Sequence, residues 1–382
     1  MKKELFEFYK TILKNLLSMT NSKILLIILI IIFLFYLDFP KNISNAYSKH
    51  LKSTKKEFSS DLIKMEKKLN LAFEFIKTYS ILFDVAQKGL TKAPEDSFRS
   101  IEKNYRKQSK GVGICTMGKK ENLYAKEFVE YYLKLGIKKI IIYDNNEIDG
   151  EKFEEVLKEY EKNKKVEIID IQGFESVQFP SYMDCYYKYR NHFDFLLFID
   201  FDDFIKIEND IDINTYLYDK KFKKCETIVL NWLMYGDNDL VKYDNRSMVE
   251  RFTKPNLNWS KGKSIVRTNI NNLIISSSHI IGINTKYFCD SNGNRVFPQT
   301  FHQFDIPNKP KAYIKHFYTK TAEEFCNKIS KGDVHFTKNH PDYLNIIKGK
   351  IDIFFLFNKI TNEKLKIIEN CSGMNLNMYR KK

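Results

Sequence analysis

Residues 193–205 read FDFLLFIDFDDFI, and the reading of this stretch decides the reading of the chain. Five consecutive apolar residues, Phe195 to Ile199, run straight into Asp200, Phe201, Asp202 and Asp203. A short run with no polar alternation predicts a strand buried on both faces, as in a parallel sheet covered by helices. Three carboxylates in four residues at its end concentrate negative charge at the mouth of the sheet, where ligands bind in open α/β folds. Left unpaired, that cluster is costly. A divalent cation resolves it, and carboxylate ligands favour Mg2+ or Mn2+. In an extended backbone Asp200 and Asp202 point to one side, so one holds the metal directly and the other acts through water or a ribose. A bare D-x-D is a surface turn more often than a metal site; the buried strand before it gives this one its weight.

Upstream, strands and helices alternate. GVGICTM (111–117) is a short apolar strand, and NLYAKEFVEYYLKLG (122–136) has helical spacing and ends in glycine. KKIIIYDNN (138–146) is a β-branched run stopped by polar residues, followed by an amphipathic helix at 151–163 and a strand, KKVEIIDI, at 164–171. A helix-like YMDCYYKYRNH (182–192) leads into the fourth strand. This alternation predicts an α/β domain with a mostly parallel sheet and helices on both faces. The strand ends carry Thr116, Lys119 to Asn122 and Asp144 to Asn146.

The first 110 residues differ in kind. Ile24 to Leu37 is a run of 14 apolar residues, shorter than the roughly 20 that cross a bilayer comfortably. Lys23 and Phe39 flank it, and Leu5, Phe8, Tyr9, Ile12, Leu13, Leu16 and Leu17 recur at helical spacing beside lysines. Residues 1–37 therefore read as a basic amphipathic helix and membrane anchor, single-pass or monotopic, with membrane lipid as partner. No small-residue cleavage signal follows, as a secretory leader requires. Five lysines lie on each side, in residues 1–23 and 38–57, so the positive-inside rule assigns no orientation. From Phe58 to Leu90 apolar residues alternate steps of four and three. They predict a helical stem over 38–110, either a coiled coil that forms a homodimer or an amphipathic helix packed on the next domain. The catalytic domain is expected over 111–382.

The net charge of +15 invites a nucleic-acid reading, but residues 1–110 hold 21 Lys and Arg against 11 Asp and Glu. The excess lies beside the apolar run, where anionic lipid is the natural partner, and no nucleic-acid-binding motif is present; no nucleic-acid partner is expected. Cys115, Cys185, Cys225, Cys289, Cys326 and Cys371 are scattered without a C-x-x-C pair. They read as buried or free thiols in a reducing compartment.

Several blocks, in order, resemble glycosyltransferase family 92, also called the domain-of-unknown-function family 23 type. KKENLYAKEFVEYYLKLGIKKIIIYDNN (119–146) is similar to the family's opening block, with Glu127 where the helix acid stands; FLLFIDFDDFI (195–205) is similar to its strand-plus-metal motif. NWLMYGDNDLV (231–241), ERF (250–252) and KSIVR (263–267) follow as in bacterial members. IKHFYTKTAEEFCNKISKGD (314–333) is close to the closing block, with Phe317 for a tyrosine and Lys331 for an arginine. The resemblance implies a GT-A, Rossmann-like fold and transfer of a sugar from a nucleotide-sugar, a UDP-sugar, to a glycan or glycolipid hydroxyl, with inversion. It places Asp144 near the nucleoside, Asp200 and Asp202 at the metal and diphosphate, His316 as a third metal ligand or a diphosphate contact, and Lys320 at the leaving phosphates; Thr116 and Glu121, after the first strand, are further candidates for the donor.

Inversion asks for a carboxylate base opposite the leaving group. Asp237, in the GDND turn after ETIVLNWLMY, is the nominee, with Asp239 and Glu250 as rivals; an ordinary turn residue is the alternative reading. Trp232, Tyr235 and His279 are candidates for the sugar side or for the core. Competing functions are a sugar nucleotidyltransferase, although no Gly-rich phosphate loop is present, and a non-catalytic glycan-binding tether. The composition suggests a bacterial surface-polysaccharide enzyme with a cytoplasmic catalytic domain; a Golgi or endoplasmic-reticulum lumen is the alternative. The segment after Gly349 reads as a terminal helix or strand.

Overall fold

The computed structural model describes residues 109–380, apart from 176, 276, 283–284, 300–302 and 333–340. The apolar run at 24–37 and the heptad stretch lie outside the described residues. Among the described residues, no helix is long and apolar enough to cross a membrane.

The alternating half forms as its pattern dictates. β1 (Val112–Gly118), β2 (Lys139–Asp144), β3 (Val166–Asp170) and β4 (Phe195–Phe198) lie in the order β3-β2-β1-β4, all parallel. Helices α1 (Asn122–Lys134), α2 (Phe153–Lys162) and α3 (Gln178–Tyr189) are the crossovers. Because side chains alternate along a strand, the two faces can be read off. Ile114, Ile140, Ile142, Phe195 and Leu197 join Phe128 of α1 and Leu157 of α2 in one core. On the other face Cys115 is bonded to Cys185 of α3, Tyr143 donates to Asp184, and Phe198 packs on Tyr182.

Beyond β4 the sheet changes character, and the next helix, α4 (Ile213–Leu217), is short. β7 (Pro255–Arg267) pairs antiparallel with β4 and with β6 (Thr227–Tyr235). β6 then carries β9 (Ala312–His316) in parallel, and β9 carries β5 (Asp203–Ile207) antiparallel. The short β8 (Phe288–Cys289) also pairs with β6, giving nine strands. The β6–β7 register slips between Asn231 and Trp232. Gly262 faces this slip, and a Cβ there would lie 1.9 Å from the Leu230 carbonyl oxygen. Only glycine admits so close an approach, and the resulting bulge re-aims Trp232.

A second core sits at the C-terminal end. α6 (Ala322–Ser330), α7 (Tyr343–Phe357) and α8 (Asn362–Ser372) bury Phe325, Ile347, Ile351, Phe354 and Leu365 together, with Tyr379 of the last turn, α9 (Asn377–Arg380). The region after Gly349 is thus helical, made of the rest of α7 with α8 and α9, and Gly349 lies inside α7.

The cysteine expectation is overturned. Cys115–Cys185, Cys225–Cys289 and Cys326–Cys371 are disulfides, with Cα–Cα distances of 6.2, 5.7 and 5.7 Å, and no thiol is free among the described residues. Partners 45 to 70 residues apart leave no spacing for a sequence reading to detect.

Candidate active site

The extended D-x-D expected from sequence is instead a turn. Asp203 N–H donates to the Asp200 carbonyl at 3.1 Å, so the chain reverses over Phe201 and Asp202 and enters β5 at once. The three acids therefore part. Asp200 leaves β4 on the α3 face and accepts from buried Lys263 at 2.7 Å, with the Tyr182 hydroxyl at 3.4 Å. Asp202, buried, accepts from Lys328 at 2.7 Å. Asp203, fully buried, lies opposite His316 in the β5–β9 register.

His316 ends β9, stacked on Trp232 with ring centroids 3.9 Å apart and planes 7° from parallel. Its Nδ1 is 2.8 Å from Asp203 Oδ1 and 3.8 Å from Asp202 Oδ1. Asp203 Oδ1 and His316 Nδ1 are buried against each other, and His316 Nε2 is buried with no hydrogen-bond partner among the described residues. Ligand atoms crowded into one buried site suit a shared cation. Asp202, Asp203 and His316 offer ligand atoms within 4.8 Å of one another, and two carboxylates with one imidazole suit Mn2+ or Mg2+. The sequence reading named Asp200 in place of Asp203; the structure gathers Asp203 into the group and pairs Asp200 with Lys263. Burial penalises the Asp202 carboxylate, but Lys328, His316 and Lys320 outweigh it and hold its pKa well below the ordinary range. Burial wins at Asp203, whose pKa is raised against the pull of His316 and Lys263. Lys328 is pushed down to about 8 by burial, against Asp202.

Lys328 also opens onto a cavity of about 390 Å³ between the start of α1, the β2–α2 loop and α6. Lys120, Lys320, Lys328 and Lys331 line it together with Glu121, Glu147, Glu151 and Glu324. Glu121 pairs with Lys331, and Lys320 Nζ lies 3.6 Å from it. Lys320 has a positive φ of 50° and rests its ammonium 3.9 Å above the Tyr124 ring. Thr116 is buried at the end of β1 with its hydroxyl unpartnered. Asp144 ends β2 and accepts from the Asn146 and Phe153 N–H groups, which fold the β2–α2 loop. Its pKa is raised by burial, against those donors and Gln172. Glu127 accepts the Met248 N–H at 3.0 Å, at the start of α5 (Met248–Arg251).

Asp237 goes elsewhere. Its carboxylate meets Lys364 of α8 at 2.6 Å, both side chains almost fully buried. Its N–H donates to Asn358 at 2.6 Å. Asp239 is exposed in the same turn, and Glu250 closes the capping box of α5 with Ser247. His279 holds the Gly262 carbonyl at 3.0 Å and meets Trp232 edge-on. Sequence reasoning missed Lys263 and Lys328 as partners of the acids. The signal for Lys263 is a lysine heading the apolar run KSIVR; for Lys328 it is one helical turn's spacing from Glu324.

The sequence profile of glycosyltransferase family 92 matches residues 110–341, more than half of the chain and spanning every residue of this site. The chain belongs to glycosyltransferase family 92. A family 92 protein of Oryza sativa subsp. japonica is 26% identical over 103 residues, which are 27% of this chain and 17% of that protein. The match thus spans well under two thirds of the relative's length. Among solved structures, S. aureus TarS is 12% identical with a TM-score of 0.32, covering 68% of this chain and 48% of that one. TarS 1–349 in complex with UDP-GlcNAc is 11% identical with a TM-score of 0.29, covering 68% and 79%. The domain has a mixed α/β fold, with a mostly parallel first half to its sheet.

Proposed function

We propose that this domain transfers a sugar, with inversion, from a nucleoside diphosphate donor held with a divalent cation to a hydroxyl of a glycan or glycolipid acceptor. The observation that carries the reading is the buried Asp202–Asp203–His316 group joined through Lys328 to a lysine-lined cavity. When bound, the cation neutralises charge on the departing diphosphate. The chain's own residues act on the departing diphosphate and hold the site in shape. Lys320, Lys328 and Lys331 offer ammonium groups to the phosphates as the sugar leaves, in a partly dry site where such contacts are strong. Glu121 keeps Lys331 and Lys320 turned toward the cavity. Trp232 fixes the His316 ring plane. Lys263 anchors Asp200, which faces water or the donor's ribose. Thr116 and Asp144 lie at the strand ends that would meet the nucleoside. Asp237, committed to Lys364, serves as an anchor between β6 and α8 in this reading.

The disulfides favour the lumenal or extracellular alternative over a cytoplasmic catalytic domain, since such bonds persist in oxidising compartments. The apolar segment at 24–37 would then tether the domain to that face of the membrane. A stem dimer remains part of the proposal.

The test is donor hydrolysis by the full-length protein across a panel of nucleotide-sugars, with and without Mn2+. Cation-dependent release of one nucleotide is expected, abolished in Asp202→Asn and His316→Ala. A folded protein that binds and hydrolyses no donor returns the glycan-binding tether; full activity in Asp202→Asn overturns the metal site.

A further inference from the structure

Glu324 lies one turn before Lys328 on α6, and its buried carboxylate accepts five hydrogen bonds. Thr321 gives its N–H at 3.2 Å and its hydroxyl at 2.7 Å, closing the capping box of α6. The Tyr124 hydroxyl of α1 donates at 2.8 Å. Arg251 of α5 donates through both terminal nitrogens, at 2.7 and 2.9 Å. This guanidinium is itself buried, with Nε on the Arg246 carbonyl at 2.9 Å. The carboxylate is thus saturated by its own chain. Burial penalises its charged form, yet Arg251, Thr321 and Tyr124 hold its pKa below the ordinary value.

What surrounds the hub gives it a purpose. Lys320, directly before the capped Thr321, has the left-handed backbone that a non-glycine residue keeps only when its surroundings over-determine it. Its ammonium is laid on the same Tyr124 ring whose hydroxyl binds Glu324. The two lysines that follow on α6 reach Asp202 and Glu121. We propose that Glu324, clamped by Arg251, is a positioning residue for the donor's diphosphate: it holds Tyr124, the strained Lys320 and the first turn of α6 so that Lys320, Lys328 and Lys331 converge on the cavity. The proposal rests on the donor reading above and adds to it a buried ion pair in the cavity wall.

The test uses the full-length protein in detergent with Mn2+, and titrates UDP and UMP by calorimetry. In the native protein the β-phosphate makes UDP the tighter ligand. Glu324→Gln is expected to lower UDP affinity about tenfold, one charge-assisted contact's worth, and UMP affinity less than threefold. Lys320→Met should do the same, and the losses in the double variant should be less than additive, because both variants act in part through the Lys320 ammonium. Tyr124→Phe, which keeps the ring under Lys320 and removes one donor, should shift the UDP-to-UMP ratio in the same direction by a smaller factor. It serves as the test if Glu324→Gln does not fold. Equal losses for UDP and UMP, or additive losses in the double variant, would reduce Glu324 to a fold anchor and overturn the proposal. Native protein that binds UDP no tighter than UMP would instead overturn the donor reading beneath it.

Discussion

Replacing Asp237 by Asn separates an anchoring carboxylate from a catalytic one. Asp237 and Lys364 meet at 2.6 Å with side chains 2% and 1% exposed. The Lys364 ammonium also donates to the Lys359 carbonyl, at 3.3 Å. Burial raises the Asp237 pKa against the pull of Lys364, so the pair is desolvated and its parts depend on each other. Removing one partner of a buried pair strands the other charge and costs about 3–5 kcal/mol. For a domain of this size that lowers the melting temperature by roughly 6–20 °C. Asp239 N–H, which donates to Asp237 Oδ1 at 2.9 Å, keeps its acceptor in the Asn variant, so the turn itself survives. Replacing both partners, as Asp237→Leu with Lys364→Met, should recover most of the loss, because an apolar pair of similar volume is often no worse than a buried ion pair. The assay is a thermal melt of each purified variant beside donor turnover, measured well below its melting temperature. Anchoring predicts a large fall in melting temperature for Asp237→Asn, recovery in the apolar pair, and turnover within a few-fold of native in both. A native melting temperature with turnover reduced a hundredfold or more, the scale of a lost general base, would refute the reasoning and restore Asp237 as the base.

Three further outcomes are expected. Native protein should carry no thiol that reacts with maleimide before reduction; six reactive thiols would return the cytoplasmic reading. The 45-residue loop closed by Cys326–Cys371 is worth roughly 4 kcal/mol by loop-closure entropy, so the Cys326→Ala, Cys371→Ala variant should melt about 8–16 °C lower, as followed by circular dichroism. For Glu324 the sign runs toward acid: its folded pKa lies below the ordinary 4.5, so its stabilisation is complete above that value and fades as pH falls through the folded pKa. The gap in melting temperature between native and Glu324→Gln should therefore narrow below about pH 4.5, and a gap that widens there would exclude a depressed pKa.

The parallel half of the fold was legible because β2 and β4 are nearly unbroken apolar runs and the helices between them are amphipathic, so strand and helix periods separate cleanly. The second half was not. β7 spans 13 residues, PNLNWSKGKSIVR, whose first seven are exposed or half-buried and whose last six are buried. Two environments on one strand average into no period. Lys263 and Arg267 sit buried in that strand, held by Asp200 and by the Phe222 and Cys225 carbonyls, partners that only tertiary structure supplies. At the site, the sequence exposed the acids but not their division of labour, because a turn closed by one backbone hydrogen bond decides which way each carboxylate points. His316 came from the family resemblance; its neighbours Ile314 and Phe317 would otherwise have placed it in the core.

Charge counting explains why acids and lysines share the site. Asp200, Asp202, Asp203 and Glu121 stand against Lys263, Lys320, Lys328 and Lys331, each carboxylate close to an ammonium or to His316. These four carboxylates and four ammonium groups match in number, so the folded domain carries this cluster without a large net field to destabilise it. A divalent cation alone would leave excess positive charge there, and a diphosphate alone excess negative charge. Cation and diphosphate together nearly cancel, so the balanced cluster favours the pair over either member. Lys328 joins the two: the ammonium that neutralises Asp202 in the free domain is also the one that lines the cavity. Under the proposed function, a cation at Asp202 would release Lys328 toward the phosphates, coupling occupancy of the acid group to the electrostatics of the cavity through a single side chain.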